Sequence, residues 1–175
     1  MPTPALQVID FQPINIAVMK KTFYLLVVAV LFAACDPYHF DEAIFIELKK
    51  DPCFGVCPVY SFRLDGKGNG SFTGTRNVSK QGDWTRKLSP QATNALFTAF
   101  EQSNFAQFQD EYTAQVTDLP TTWVTYSNGA INKTIKDYYG SPEALKNLEK
   151  MAETIAEEDT DWVNSGETPA TPAGQ

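Results

Sequence analysis

The sequence has one histidine, His39, and three cysteines, Cys35, Cys53 and Cys57, in 175 residues. That leaves little material for a metal site, and neither a metal nor a cofactor is expected. Ser61, Ser71 and Ser89 have no nearby histidine, so a Ser-His-Asp hydrolase would rest on His39 alone. Basic residues are also scarce. Fourteen Lys and Arg against 21 Asp and Glu give a net charge of −7. Proteins that grip nucleic-acid phosphates need a basic face, so no nucleic acid is expected as partner. No apolar run reaches the roughly 20 residues of a membrane-spanning helix. Core material is not lacking: 43% of residues are hydrophobic and 13% aromatic, which excludes a wholly disordered or collagen-like chain. The length suits one domain.

The amino-terminal region reads as an address. Lys20 and Lys21 precede an unbroken apolar run of 12 residues, 23–34, which ends Leu31-Phe32-Ala33-Ala34-Cys35. Charge, length and small residues before a cysteine resemble a bacterial lipobox, with Phe32 where Leu is commoner. The resemblance implies cleavage before Cys35 and acylation of Cys35. Residues 1–18 carry Asp10 and no Lys or Arg, so they make a poor leader, and translation is expected to begin at Met19. An intact precursor carrying residues 2–18 would refute that. Residues 1–34 are therefore set aside from fold reasoning.

The mature chain expected, residues 35–175, carries a net charge of −8. Acyl chains on Cys35 would anchor it without a basic patch, because each buried CH₂ contributes about 0.8 kcal/mol. Residues 35–42 read as a tether. The expected location is the cell envelope, on the outer membrane of a Gram-negative bacterium. Asp36 directly after the lipidated cysteine favours inner-membrane retention in some such bacteria.

The body, 43–157, reads as strands and two helices. Ile44, Ile46 and Leu48 alternate with more polar positions, as do Tyr60, Phe62 and Leu64. Gly66-Lys67-Gly68-Asn69-Gly70 is a turn from which residues 71–75 return as a strand, and residues 84–88 suggest another. Asn128-Gly129 is a hairpin signal between strand-prone segments 121–126 and 130–138. Ser89-Pro90 and Ser141-Pro142 each begin a helix, with serine as N-cap and proline in the first turn. Leu145, Leu148, Ala152 and Ile155 form one apolar helix face. Residues 104–112 read as an aromatic loop. Each half has a glycine-turn hairpin, then Ser-Pro and a helix, as a duplicated β-β-α unit would. The fold class expected is α+β: an antiparallel sheet with two helices packed on one face. Residues 158–175 are acidic, then Thr-, Pro- and Ala-rich, and read as a disordered tail, from which Trp162 could still dock back on the body.

Cys53-Phe54-Gly55-Val56-Cys57-Pro58-Val59-Tyr60 is the distinctive internal motif. With Cys35 acylated, two cysteines remain, and in an oxidising compartment an even count favours a Cys53–Cys57 disulfide pinning a tight turn between the first two strands. The run Cys-x-Gly-x-Cys-Pro-x-Tyr, followed by a strand and an Asp-Gly turn, resembles an uncharacterised family of bacterial envelope lipoproteins. Tyr112, Asp118-Leu119-Pro120-Thr121 and Tyr139-Gly140-Ser141-Pro142 look similar as well. The resemblance implies an α+β domain and an envelope location, and it implies no activity.

Cys-x₃-Cys-Pro also resembles the copper loop of Sco-type chaperones, where a histidine completes a His/Cys₂ site. Here the histidine, His39, lies upstream rather than downstream. Other signals are weaker. Asp110-Glu111 and Glu157-Glu158-Asp159 read as solvated charge, and the Gly66 to Gly70 run lacks the Lys-Ser/Thr ending of a phosphate loop. Phe97, Phe100, Phe105, Phe108 and Tyr112 read mostly as core. No catalytic residues are expected. The function expected is a lipid-anchored, non-enzymatic module that binds an envelope protein or glycan through its sheet face or the 104–126 loop. The alternatives are a copper or thiol–disulfide protein using Cys53 and Cys57, and an enzyme acting on cell-wall or glycan material.

Overall fold

The computed structural model describes residues 36–166. The expected leader, Cys35 and residues 167–175 of the expected tail lie outside the described residues. Eight strands, β1 (Phe45–Lys50), β2 (Val59–Asp65), β3 (Asn69–Arg76), β4 (Gly82–Lys87), β5 (Glu111–Tyr112), β6 (Thr122–Ser127), β7 (Asn132–Asp137) and β8 (Val163–Asn164), form one sheet. Their order is β5-β7-β6-β1-β2-β3-β4-β8, and every pair but β5–β7 is antiparallel. Helices α1 (Pro90–Gln102) and α2 (Glu143–Glu157) complete an α+β fold.

Period-two alternation puts one face of the sheet into the core. Ile46 lies opposite Leu64 on β2 and Tyr126 on β6, and Leu48 lies opposite Phe62 and Val124. All six are buried. Leu96, Phe97 and Phe100 from α1 and Leu145, Leu148 and Ala152 from α2 join the same cluster, so both helices cover one face. Ser89 caps α1 as expected, its Oγ accepting from the Ala92 amide at 3.3 Å. The start of α2 differs. Ser141 donates its hydroxyl to Asp137 at 2.5 Å, and Pro142 is the cap residue, without a side-chain cap bond. A carboxylate is the stronger acceptor, and it draws the hydroxyl away from the helix end.

The two halves correspond through a different hairpin from the one the turn residues suggest. In the order of the sheet, β1 and β2 lie at the centre, flanked by β6 and β3 and then by β7 and β4. Each flank is a hairpin followed by a helix, β3-β4-α1 and β6-β7-α2. The glycine-rich turn joins β2 to β3, whereas the hairpin leading into α1 turns through residues 77–81. Glycine marks a chain reversal but not which strands form the repeat. The expected loop at 104–112 also holds more order than its composition suggests: a 3-10 turn, Phe105–Gln107, and then β5 parallel to β7.

Both ends of the domain extend beyond the expected 43–157. The segment read as a tether is packed onto the body from Pro37. Phe40 is buried, with its ring 5.2 Å from that of Phe97. The Tyr38 hydroxyl donates to the Leu88 carbonyl at 2.7 Å. Asn94 donates to the Pro37 carbonyl and accepts from the His39 amide. At the other terminus Trp162 is buried against Phe62 and Phe72, and β8 extends the sheet beyond β4. Lys80 Nζ donates to the Glu158 carbonyl at 2.8 Å. Thus residues 158–166 are folded against the body, because one large indole outweighs the polar composition around it. No helix among the described residues is long and apolar enough to cross a membrane.

Gly66 is where the amino-terminal segment crosses the sheet. A Cβ there would overlap the Asp41 carbonyl and the Phe40 side chain. Gly66→Ala should therefore lever this segment away and cost about 1–3 kcal/mol, as over-packing does. Urea denaturation would measure the loss, and an unchanged midpoint would show that the segment contributes nothing.

Candidate functional site

The strand register divides the domain into two ends. Lys50 lies opposite Tyr60 and Thr122, and Thr122 opposite Asp137. One end therefore gathers the 51–58 connection, the β3–β4 turn, the start of β6 and the end of β7. At the other end Phe45 lies opposite Asp65 and Ser127, beside the Gly66 crossing of the amino-terminal segment. A six-residue strand such as β1 separates the two ends by about 17 Å.

The 51–58 connection carries the cysteine motif. Cys53 and Cys57 are joined by a disulfide, their Cα atoms 5.7 Å apart. The flanks are held on three sides. The Asp51 amide donates to the Thr121 carbonyl at 2.9 Å, and Trp123 Nε1 donates to the Asp51 carboxylate at 2.6 Å. Asn77 Nδ2 donates to the Cys57 carbonyl at 3.0 Å. Burial pushes the Asp51 carboxyl up, but hydrogen bonds from Lys49 and Trp123 and the Lys49 charge outweigh it and hold the carboxyl below its usual range. Between the cysteines, Phe54 is 93% exposed and Val56 87% exposed. A three-residue loop clamped at both ends has nowhere to fold its side chains back, so the disulfide itself keeps them in water.

The remaining site candidates are arranged differently. His39 packs at the opposite end, its amide bonded to Asn94, so the structure does not bring it to Cys53 and Cys57. Among the described residues no group of three His, Cys, Asp or Glu side chains could hold a metal ion. Ser89 is occupied as a cap, and Ser61 and Ser71 lie on the uncovered face of the sheet. The aromatics on that face are paired with cations: the Arg63 guanidinium lies 3.4 Å from the Phe45 ring centroid and Lys136 Nζ 5.8 Å from Trp123. In the 104–126 segment Phe105 is buried, and Phe108 and Tyr112 pack partly into the core. The most exposed apolar side chains of the described residues are those of Phe54 and Val56.

A second polar cluster was not anticipated. Asp137 and Glu149 are buried together below Lys146, whose Nζ lies 2.6 Å from Asp137 and 3.2 Å from Glu149. Glu149 lines an open cleft of about 530 Å³ with Lys50, Leu119, Tyr138 and Tyr139. Burial, reinforced by the nearby Asp137 charge and hydrogen bond and only partly offset by Lys146, pushes the Glu149 carboxyl up to about 8. Asp137 Oδ1 and Glu149 Oε1 are buried without a hydrogen-bond partner, so the pair favours a proton on Glu149 over two bare carboxylates. The sequence signal was present: Glu149 stands four residues after Leu145, on the apolar stripe of α2. The cluster ties α2 to β7. It does not set two carboxylates on opposite sides of a substrate-sized gap, as glycoside hydrolysis requires.

The profile of a family described as a domain of unknown function, DUF6438, matches residues 44–156. No curated protein matches the chain.

The proton on Glu149 makes stability depend on pH. Its folded value lies above its unfolded one, so its contribution is complete below about pH 4.5 and is lost as pH rises through about 8. Thermal melts between these limits should show the wild type weakening toward high pH. In Glu149→Gln, whose amide still donates, that slope should flatten, and an unchanged slope would assign it elsewhere. Replacing both Cys53 and Cys57 by Ser should cost about 2 kcal/mol, the closure entropy of a small loop. Equilibrium unfolding would measure it, and secondary structure by circular dichroism should stay unchanged.

Proposed function

The chain belongs to the DUF6438 family, and we propose that it is a lipid-anchored cell-envelope module that binds a partner through its Cys53–Cys57 loop and performs no catalysis. The observation that carries this reading is the loop itself. Two apolar side chains are held in water on a crosslinked turn, a costly arrangement that binding would relieve. The anchor is read from the lipobox ending at Cys35. Only Asp36 would separate that cysteine from Pro37, where the chain is already fixed to the body through Asn94. A domain attached so closely would sit on its membrane with the Gly66 end inward and the loop outward. The acyl chains would hold it, and the envelope, expected to be that of a Gram-negative bacterium with the anchor in its outer membrane, would keep the disulfide oxidised.

A second reading, copper binding or thiol–disulfide exchange, uses the same two cysteines, which are partly exposed. Reactive thiols are usually lowered in pKa by a helix amino terminus or a neighbouring cation. Cys53 and Cys57 instead lie on a connection between two strands, away from His39. The geometry favours the binding reading.

Mass spectrometry of protein extracted from membranes, with thiols alkylated before and after reduction, tests both. The expected result is a diacylglyceryl-modified Cys35 at the new amino terminus, with Cys53 and Cys57 alkylated only after reduction. An unmodified Cys35 would remove the anchor. Free Cys53 and Cys57 would return the loop to metal or redox chemistry, and stoichiometric Cu(I) binding lost in Cys53→Ser would then decide between those two.

A further inference from the structure

We infer that the Cys53–Cys57 loop docks into an apolar pocket on a protein partner that lies away from the anchoring membrane. This rests on the binding reading above and identifies the kind of partner. Three observations lead to it. The first is size. Phe54 and Val56 form a two-residue tip, and residues 52–60 carry no charge. So small a patch gains little from a flat surface. It gains most from a concave receptor that encloses the ring and excludes water, the arrangement of an interface anchor. The second is rigidity. The disulfide, Pro58, the Asn77 bond to the Cys57 carbonyl and the Asp51–Thr121 bond hold the loop in one shape before binding, so little conformational freedom remains to be lost. Bilayer insertion does not need such a fixed shape.

The third observation is position. The amino-terminal segment is packed from Pro37 at the Gly66 end, and β1 runs from there to the loop. A lipid on Cys35 would leave Asp36 as the sole residue between anchor and body. The tip then lies at the opposite end of β1 from the attachment, about 17 Å away along the strand, the end of the sheet that the anchor does not tie to the bilayer. The acidic body adds to the separation, because anionic headgroups repel it.

The test is site-specific photocrosslinking of the full chain in cells of the source organism. Benzoylphenylalanine would replace Phe54, and in separate variants Ser71 on the uncovered sheet face or Ala130 at the attached end; both control positions are exposed. Position 54 should form a discrete protein adduct at least about fivefold above either control. Val56→Asp in the same chain should abolish it while leaving the melting temperature unchanged, since Val56 contributes almost nothing to the core. The crosslinked protein, once purified, should bind the detergent-solubilised full chain, and Phe54→Ser should weaken that binding at least tenfold while Ser71→Ala does not. A lipid adduct at position 54 would overturn the proposal in favour of a bilayer, and an adduct of twice the chain mass in favour of self-association. Equal labelling at positions 54, 71 and 130 would remove the loop as a docking element. The mass of the amino-terminal peptide, read from the same cells, reports separately on the anchor. A failed loop with a lipidated Cys35 would therefore leave the envelope reading intact.

Discussion

Strand β1 is the element on which the rest of the domain depends. It is hydrogen-bonded along its whole length to β2 on one side and to β6 on the other. Within the sheet it is the strand that joins β2-β3-β4 to β6-β7. Its two inward apolar residues, Ile46 and Leu48, have no exposed surface and meet side chains from both halves. A change in its register by one residue would turn both to the solvent face and expose the core of each half together. The same strand sets the geometry of the proposed function. One of its ends receives the amino-terminal segment, and the other leads directly into the cysteine loop.

One-sided burial follows from that arrangement. Both helices cover the same face, and the opposite face is finished with Ser, Thr and paired charges such as Arg63 with Glu47. A sheet built this way satisfies its own surface. The two most exposed large apolar side chains among the described residues sit on the disulfide loop, where a short closed turn cannot return Phe54 and Val56 to the core. Stability and exposure thus come from one covalent feature: the bond that removes freedom from the unfolded chain also holds two apolar groups in water.

The buried Asp137–Lys146–Glu149 cluster belongs to the structural side of this division. Three ionisable groups around one buried contact would be costly if all were charged. A proton on Glu149 leaves the cluster better balanced and joins α2 to the end of β7. Ser141 is drawn into the same network, which is why α2 begins on Pro142 without the serine cap that starts α1. A tertiary contact of greater strength has overridden a local signal.

The elements with strong local causes were legible from residue order alone. Tyr60, Phe62 and Leu64 alternate, Ser89-Pro90 starts a helix, and Leu145, Leu148 and Ala152 share a face; each pattern reflects forces between near neighbours in the chain. Membership of an uncharacterised family was expected from the sequence, and the DUF6438 profile matches residues 44–156. Other features depend on groups far apart in sequence. Phe40 finds its place only because Phe97 lies 57 positions later, and Trp162 only because Phe62 and Phe72 leave a site for it. Glu149 lies on an apolar stripe, but its partner Asp137 is supplied by another element. Sequence by itself determined the one-sided sheet, both helices and the cysteine pair, because hydrophobic period and turn chemistry act locally. Only the tertiary structure decided that His39 and the cysteines stand at opposite ends, and that Phe54 and Val56 point into water. Those are distances between ends of a sheet, and no spacing along the chain encodes them.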